Sequence, residues 1–311
     1  MPALKAIRIV FMGTPEFAVP TLKRLVEEGL NVVGVVTAPD KPAGRGMQLQ
    51  SSAVKQYAVQ AGLPVLQPEK LREPDFLEAL AGLKADLQIV VAFRMLPEVV
   101  WNMPVMGTIN LHASLLPQYR GAAPINWAVI NGESVSGLTT FKLQHAIDTG
   151  NILLQLQMPI GPAEDAGSLH DRMQAAGAGL VLETVRGLAA GTLQDKPQPE
   201  AAVLKPAPKI FKETCSIDFN RPAREVFNLI RGLAPFPAAY TMLDDKVLKI
   251  YKAHTEASGS PEGQPGKPST DGKTYLKFSC TDGYIVLDEL QLAGKKKMSA
   301  AEFLRGYHFE K

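Results

Sequence analysis

Asn110 and His112 stand two positions apart in the stretch NLHASLLPQYRGAAPI, residues 110–125, directly behind Gly107-Thr108-Ile109. That run reads as the end of a buried strand, and residues i and i+2 of a strand share a face. A neutral amide and an imidazole then project together from a rigid element. The amide can polarise a carbonyl and the imidazole can carry a proton near neutral pH. The chemistry this pair suits is acyl-type transfer. A third group is Asp148, in Ala146-Ile147-Asp148-Thr149-Gly150. An Asp before Thr-Gly serves equally well as a turn former, its carboxylate bonding backbone N–H groups. If its loop folds back over the strand end, the carboxylate lies about 3–4 Å from His112 and orients the ring. Both roles stay open at this stage.

Such groups need a scaffold, and the first half of the chain supplies alternating strand and helix patterns. Strands are predicted over Ala6–Met12, Val32–Thr37, Pro64–Leu66 and Leu87–Phe93, with helices over Phe17–Glu28, Ser52–Ala61 and Asp75–Leu83. Continuous apolar strands between helices imply a mostly parallel sheet covered on both faces. Gly137–Leu143 and Asn151–Ile160 read as a hairpin-style extension, followed by a helix from about Ser168 to Ala190. Residues 191–209 then carry four prolines and few large apolar groups, which is linker chemistry. Beyond it lie one helix-like piece, Ala223–Gly232, and strand-like runs at Tyr240–Leu243, Val247–Ala253, Thr274–Ser279 and Tyr284–Glu289. A Gly/Pro-rich loop, Ser258–Thr270, separates the two pairs. Short strands with Gly-containing turns suggest a small barrel or open sheet. With 311 residues, two domains are expected: a catalytic domain over 1–190, a linker over 191–207 and a second domain over 208–311.

Composition excludes several classes. Apolar content of 46% and charge of 21% are ordinary for a soluble globular protein. The net charge of +2 is weak but unevenly placed: from Lys205 onward there are 17 Lys+Arg against 13 Asp+Glu. Cys215 and Cys280 match no metal-ligand spacing, so no metal is expected and a reducing cytoplasm is. No stretch is apolar for long enough to span a membrane, and the N-terminus lacks a signal-peptide pattern. Gly13-Thr14-Pro15 after the first strand lacks G-x-G-x-x-G, and Pro15 removes a backbone donor, which argues against a nicotinamide-dependent oxidoreductase. The turn instead lies at the carboxyl edge of the sheet, where open α/β sheets place their ligand crevice.

Asn110-x-His112, Ser114-Leu115-Leu116-Pro117, Arg120-Gly121 and Asp148-Thr149-Gly150 together resemble the formyltransferases that use 10-formyltetrahydrofolate. Gly13-Thr14-Pro15-Glu16-Phe17, the loop 39–46 (PDKPAGRG), Gly121-Ala122-Ala123-Pro124-Ile125 and the stretch 293–299 (AGKKKMS) are similar to the branch of that family acting on methionyl-tRNA. The resemblance spans essentially the whole chain. It implies a Rossmann-like catalytic domain and a C-terminal OB-like β-barrel that helps hold tRNA. The reaction it implies is formylation of the α-amino group of initiator methionyl-tRNA, with no obligate protein partner.

Carried over by position, Asn110 donates to the developing oxyanion, and His112, paired with Asp148, assists proton transfer. Ser114, Leu115, Leu116 and Pro117, with Phe93, Met95 and Leu96, line the folate site. Lys41 and Arg45 lie in a loop that inserts at the tRNA acceptor end, and Lys295, Lys296 and Lys297 form a cationic cluster on the barrel. Read without the resemblance, that first loop is simply exposed and mobile. Two features depart from the pattern. Phe93-Arg94 replaces a Tyr-Gly pair in a stretch one residue shorter, and Asn151 stands where Asp is usual. Formyl transfer to a small amine shares the N-x-H…D core, but would not require the Arg45 loop together with a basic barrel.

Overall fold

The computed structural model describes residues 4–43, 48–258 and 263–307. Apolar, β-branched runs too short for helices form the inner strands of its first sheet, and segments with one apolar face form the covering helices. In chain order these are β1 (Ile9–Gly13), α1 (Val19–Glu27), β2 (Val32–Val36), β3 (Lys41–Ala43), β4 (Gln48–Gln50), α2 (Ala53–Gln60) and β5 (Val65–Leu66). Next come α3 (Pro74–Gly82), β6 (Leu87–Val91), α4 (Glu98–Trp101), β7 (Thr108–His112), α5 (Pro124–Ile130), β8 (Val135–Lys142), β9 (Ile152–Pro159) and α6 (Ala166–Ala190). The rest are α7 (Ala223–Leu233), β10 (Ala239–Leu243), β11 (Lys246–Ala257), β12 (Pro268–Thr270), β13 (Leu276–Ser279), β14 (Gly283–Leu292), β15 (Met298–Ser299) and α8 (Ala300–Leu304).

The chain packs as two units. One comprises residues up to Arg120, Gly137–Met158 and His170–Lys205; the other comprises Gly121–Ser136, Pro159–Leu169 and the residues from Pro206 on. The division therefore cuts the chain in several places, whereas the sequence suggested a single linker over 191–207. Residues 192–205 pack within the first unit because proline blocks regular structure but leaves neighbouring carbonyls and side chains free to bond.

The first sheet has the order β5-β2-β1-β6-β7-β8-β9. β5, β2, β1, β6 and β7 are mutually parallel, and β8 runs antiparallel to β7. The chain works outward from β1 to β5, then restarts at β6 on the other side of β1, making a Rossmann-like sheet with its switch point between β1 and β6. Val10, Met12, Val36 and Val90 of the sheet bury one face against Phe76 and Leu80 of α3. In the segment after β2, β3 and β4 pair antiparallel, with Lys41 opposite Gln50. Arg45, which falls between them in the sequence, lies outside the described residues.

In the second unit, α7 buries Val226, Phe227, Ile230 and Leu233 on a curled antiparallel sheet of order β10-β11-β14-β13-β12. Register shifts around Lys252 bend β11, so that it pairs with β10 at its start and with β14 along most of its length. The far edge of β14 is shared by β13 and β15. Cys215 and Cys280 are free and lie in this core. Burial pushes the Cys280 thiol up to about 12 and raises that of Cys215. No helix among the described residues is long and apolar enough to cross a membrane.

Candidate active site

α6 decides which way β7 faces. A Cβ on Gly177 would stand 2.7 Å from Leu111 Cδ2, so the helix lies directly against Leu111. Strand alternation then sends Asn110 and His112 to the opposite face. Across the ladder Asn110 pairs with Phe141 and His112 with Thr139. The Phe141 ring meets the imidazole edge-on, with centroids 6.5 Å apart at 84°. Asn110 is half-buried, and its side-chain amide makes no hydrogen bond among the described residues.

The His112 side chain is 8% exposed, and each of its nitrogens has a facing oxygen. Nε2 lies 2.8 Å from the Tyr119 carbonyl oxygen. A carbonyl only accepts, so Nε2 carries the hydrogen and donates it. Nδ1 is left as the atom that gains or loses a proton, and it stands 3.8 Å from Asp148 Oδ2. That carboxylate, 15% exposed, can orient the ring and stabilise its charged form.

Two segments bring these oxygens into place. The first is the turn over 114–119, stitched to the hairpin by Thr139 Oγ1, which donates to Ser114 O (2.6 Å) and accepts from Leu116 N (3.2 Å). Gln155 Nε2 donates to Leu116 O at 2.9 Å, and Ser114 Oγ donates to Gln118 O at 2.6 Å. Ser114, Leu116 and Pro117 are thus turned into the protein, with Leu115 partly exposed. The second segment is the loop joining β8 to β9. Asp148 sits at φ +53°, left-handed for a residue with a side chain. At Gly150 the backbone passes so close to β8 that a Cβ would lie 1.6 Å from Lys142 O.

A strap from residues 195–198 covers this loop. Ile152 and Lys196 exchange backbone hydrogen bonds at 2.7 and 2.8 Å. Asn151 Nδ2 donates to Asp195 Oδ2 at 2.7 Å, and Lys142 Nζ lies 3.1 Å from Asp195 Oδ1. The Asn151 hydrogen bond, then Lys142, holds the Asp195 carboxyl below the usual carboxylate range. Asn151 therefore has a local reason: an Asp there would set two carboxylates face to face. The pair is partly exposed and worth about 1 kcal/mol. Asn151→Asp is expected to lower the thermal midpoint by about 2–4 °C at neutral pH. Because the Asp195 value is depressed on folding, its contribution is complete above about pH 4 and drains as pH falls through the lowered value. The difference between variant and parent should therefore shrink in acid; a melting series across pH checks both signs.

Phe93 and Lys41 border a cavity of about 560 Å³ at the carboxyl ends of β1, β2 and β6, the switch point of the sheet. Met95 and Leu96 border a second of about 570 Å³ with Trp101 and His145. Neither is lined by residues 114–117. Met95 is 73% exposed, and Leu96 is buried in the core. Arg94 donates to the Pro68 and Glu69 carbonyls and lies over the Phe93 ring, fastening the shortened 92–97 stretch to the turn before it. Asp40, next to Lys41, is paired with Lys55 and Gln67, which hold its carboxyl low. In the second unit Lys295, Lys296 and Lys297 are exposed between β14 and β15. Lys297 is paired with Glu289 at 2.6 Å and lies over the Tyr251 ring. Among the described residues no group of three or more His, Cys, Asp or Glu could hold a metal ion.

Sequence reasoning missed the Tyr119 carbonyl, Thr139, Asp195 and Gln198. The first is backbone, and the last two lie where prolines suggested a linker.

A family model described as formyl transferase matches residues 7–185, and one described as formyl transferase, C-terminal domain, matches 209–308. The methionyl-tRNA formyltransferase of Parabacteroides distasonis is 58% identical over 312 residues, covering 97% of this chain and 96% of that protein. Among solved structures, an N-formyltransferase from Helicobacter canadensis, in complex with folinic acid and dTDP-3-aminofucose, has a TM-score of 0.68 at 20% identity. That match covers 94% of this chain and 100% of the other. HypX from Aquifex aeolicus, in complex with tetrahydrofolic acid, has a TM-score of 0.65 at 19% identity. The match takes in 96% of this chain but spans only 47% of HypX.

Proposed function

The chain belongs to the formyl transferase family, and from that premise we propose that it moves the formyl group of 10-formyltetrahydrofolate onto the α-amino group of initiator methionyl-tRNA. The observation that carries this reading is the near full-length identity of 58% to a methionyl-tRNA formyltransferase, over a chain in which Asn110 and His112 share one face of β7 and Asp148 faces the His112 ring. The reaction runs in the cytoplasm, where both buried thiols stay reduced.

The chemistry balances without a further reactant. A C–N bond forms between the amine and the formyl carbon, the bond to N10 of the folate breaks, and one proton passes from amine to N10. Asn110, its amide free, donates to the carbonyl oxygen as negative charge develops there; one such donor is worth roughly 2.7–4 kcal/mol. His112 takes the amine proton at Nδ1 and returns one to the departing nitrogen, while Asp148 stabilises the imidazolium between the two steps. The free Asn110 amide and the cavities at the sheet edge fit a folate donor. Phe93, Met95 and Leu96 flank the folate, and Ser114, Leu115, Leu116 and Pro117 support it through the turn that carries Tyr119.

The assay is formylation of charged methionyl-tRNA, read by acid gel or mass spectrometry, with amino sugars present as competing acceptors. Preferential formylation of the sugar would overturn the reading. On the tRNA side, Lys41 and Arg45 contact the acceptor end, and Lys295 and Lys296 contact phosphates. Lys297 is already neutralised by Glu289. Lys295→Ala and Lys296→Ala should each weaken tRNA binding and flatten its salt dependence by about 0.7–0.9 in log–log slope. Lys297→Ala should change that slope by less than either; filter binding across a salt series distinguishes them.

A further inference from the structure

We propose that Gln198, in the proline-rich segment, is a positioning residue that clamps both flanks of the His112 ring. The ring is held between Tyr119 O on Nε2 and the Asp148 carboxylate on Nδ1, and those groups belong to segments far apart in sequence. The carboxamide of Gln198 bonds to both segments. Its Nε2 donates to Asp148 O at 2.7 Å and to Gly150 O at 2.9 Å. Its Oε1 accepts from Arg120 Nη2 at 2.6 Å and Nε at 3.2 Å, in the residue after Tyr119. A primary amide has two donor hydrogens and one acceptor oxygen, and every one of them is used here.

The clamp answers a structural need. Asp148 occupies left-handed backbone, which persists only where its surroundings hold it. The two carbonyls that Gln198 grips lie at that residue and two beyond it, so the bonds fix the path of the chain as it leaves the left-handed dihedral. The gap from Nδ1 to Oδ2 is already 3.8 Å, so a small outward drift of the loop removes the carboxylate from the ring. Arg120 orients the amide; without its charge-assisted bonds the carboxamide could rotate and present oxygen to the two carbonyls. The backbone exchange at Lys196 and the Asp195 contacts set the strap down two and three residues earlier, so that Gln198 arrives in register.

This role rests on the formyl-transfer reading, and two variants separate it from simple loss of fold. Gln198→Met keeps the length and volume but bonds to neither segment. Gln198→Glu keeps the contact with Arg120 but loses the donors to the loop. Both are assayed for kcat and KM on charged methionyl-tRNA, for thermal midpoint, and for hydrogen exchange of the peptide 145–152. We expect kcat to fall by about 10- to 10²-fold in both, since misplacement of about 1 Å carries that penalty. KM for either substrate should stay within about twofold of the parent value. Exchange in the 145–152 peptide should speed up roughly 10-fold while the rest of the first unit is unchanged. Parental kcat in Gln198→Glu, or a loss of kcat with no faster exchange in this loop, would overturn the clamp and leave formyl transfer standing. An inactive parent protein would instead remove the functional reading, and the exchange comparison would then decide the clamp by itself.

Discussion

His112→Ala is expected to lower kcat for formyl transfer on the order of 10²–10⁴-fold while leaving the Kd for methionyl-tRNA nearly unchanged. The reason lies in how the ring is held. Nε2 is committed to Tyr119 O, so proton traffic must use Nδ1, the nitrogen that faces Asp148. Alanine removes that carrier, and the nearby hydroxyls do not replace it: Ser114 Oγ donates to Gln118 O and Thr139 Oγ1 to Ser114 O. Asn110→Ala removes a different contribution, the donor at the oxyanion, and should cost about 10²–10³-fold in kcat. Groups that act on one transition state are not additive, so the double variant should be little slower than His112→Ala alone. Single-turnover formylation with enzyme in excess measures all three. Parental turnover in His112→Ala would remove the imidazole from the mechanism. A double variant slowed by the product of the two effects would show that the groups act in separate steps.

What could be read before the structure was known divides along physical lines. Strands β1, β2 and β6 are almost wholly apolar along their length, because helices cover both faces of the sheet, and such runs are visible in composition alone. The pairing of Asn110 and His112 follows from strand periodicity, which needs no tertiary information. The position of Asp148 does not. Its loop reaches His112 because of the left-handed turn at Asp148, the missing side chain at Gly150 and a strap arriving from residue 195 onward. None of these is a local propensity. The strap itself was obscured by composition: four prolines in 191–209 mark a segment without regular structure, and such a segment can still be pinned by side chains. β3 and β4 escaped notice because three-residue strands carry too little pattern to register. The residues expected at the folate site divide between the turn and the cavities. Ser114, Leu116 and Pro117 suit a pocket by type, yet the turn uses them for its own packing, and the open cavities fall instead beside Phe93, Met95 and Leu96.

Gly150→Ala should be the most damaging small substitution in the loop. Its methyl group would meet Lys142 O at 1.6 Å, Lys142 C at 2.8 Å and Phe141 Cδ2 at 3.1 Å. The first two are backbone atoms of β8, locked in the ladder to β7, so they cannot swing aside as a side-chain tip would. The loop must therefore move, and it carries Asp148 with it, two residues away. A displacement of about 1 Å is expected to cost on the order of 10²-fold in kcat/KM. The same overpacking should cost roughly 1–3 kcal/mol in stability. Gly179→Ala is the matched control: it lies in α6 with nothing within 4 Å of the added carbon, so activity should be parental. There the substitution should add up to about 1 kcal/mol of stability through helix propensity. Measuring kcat/KM and urea midpoints for the pair isolates the effect of the site from that of the residue type. Full activity in Gly150→Ala would mean that the loop has room to yield without moving Asp148, and the catalytic geometry would then not depend on this close approach.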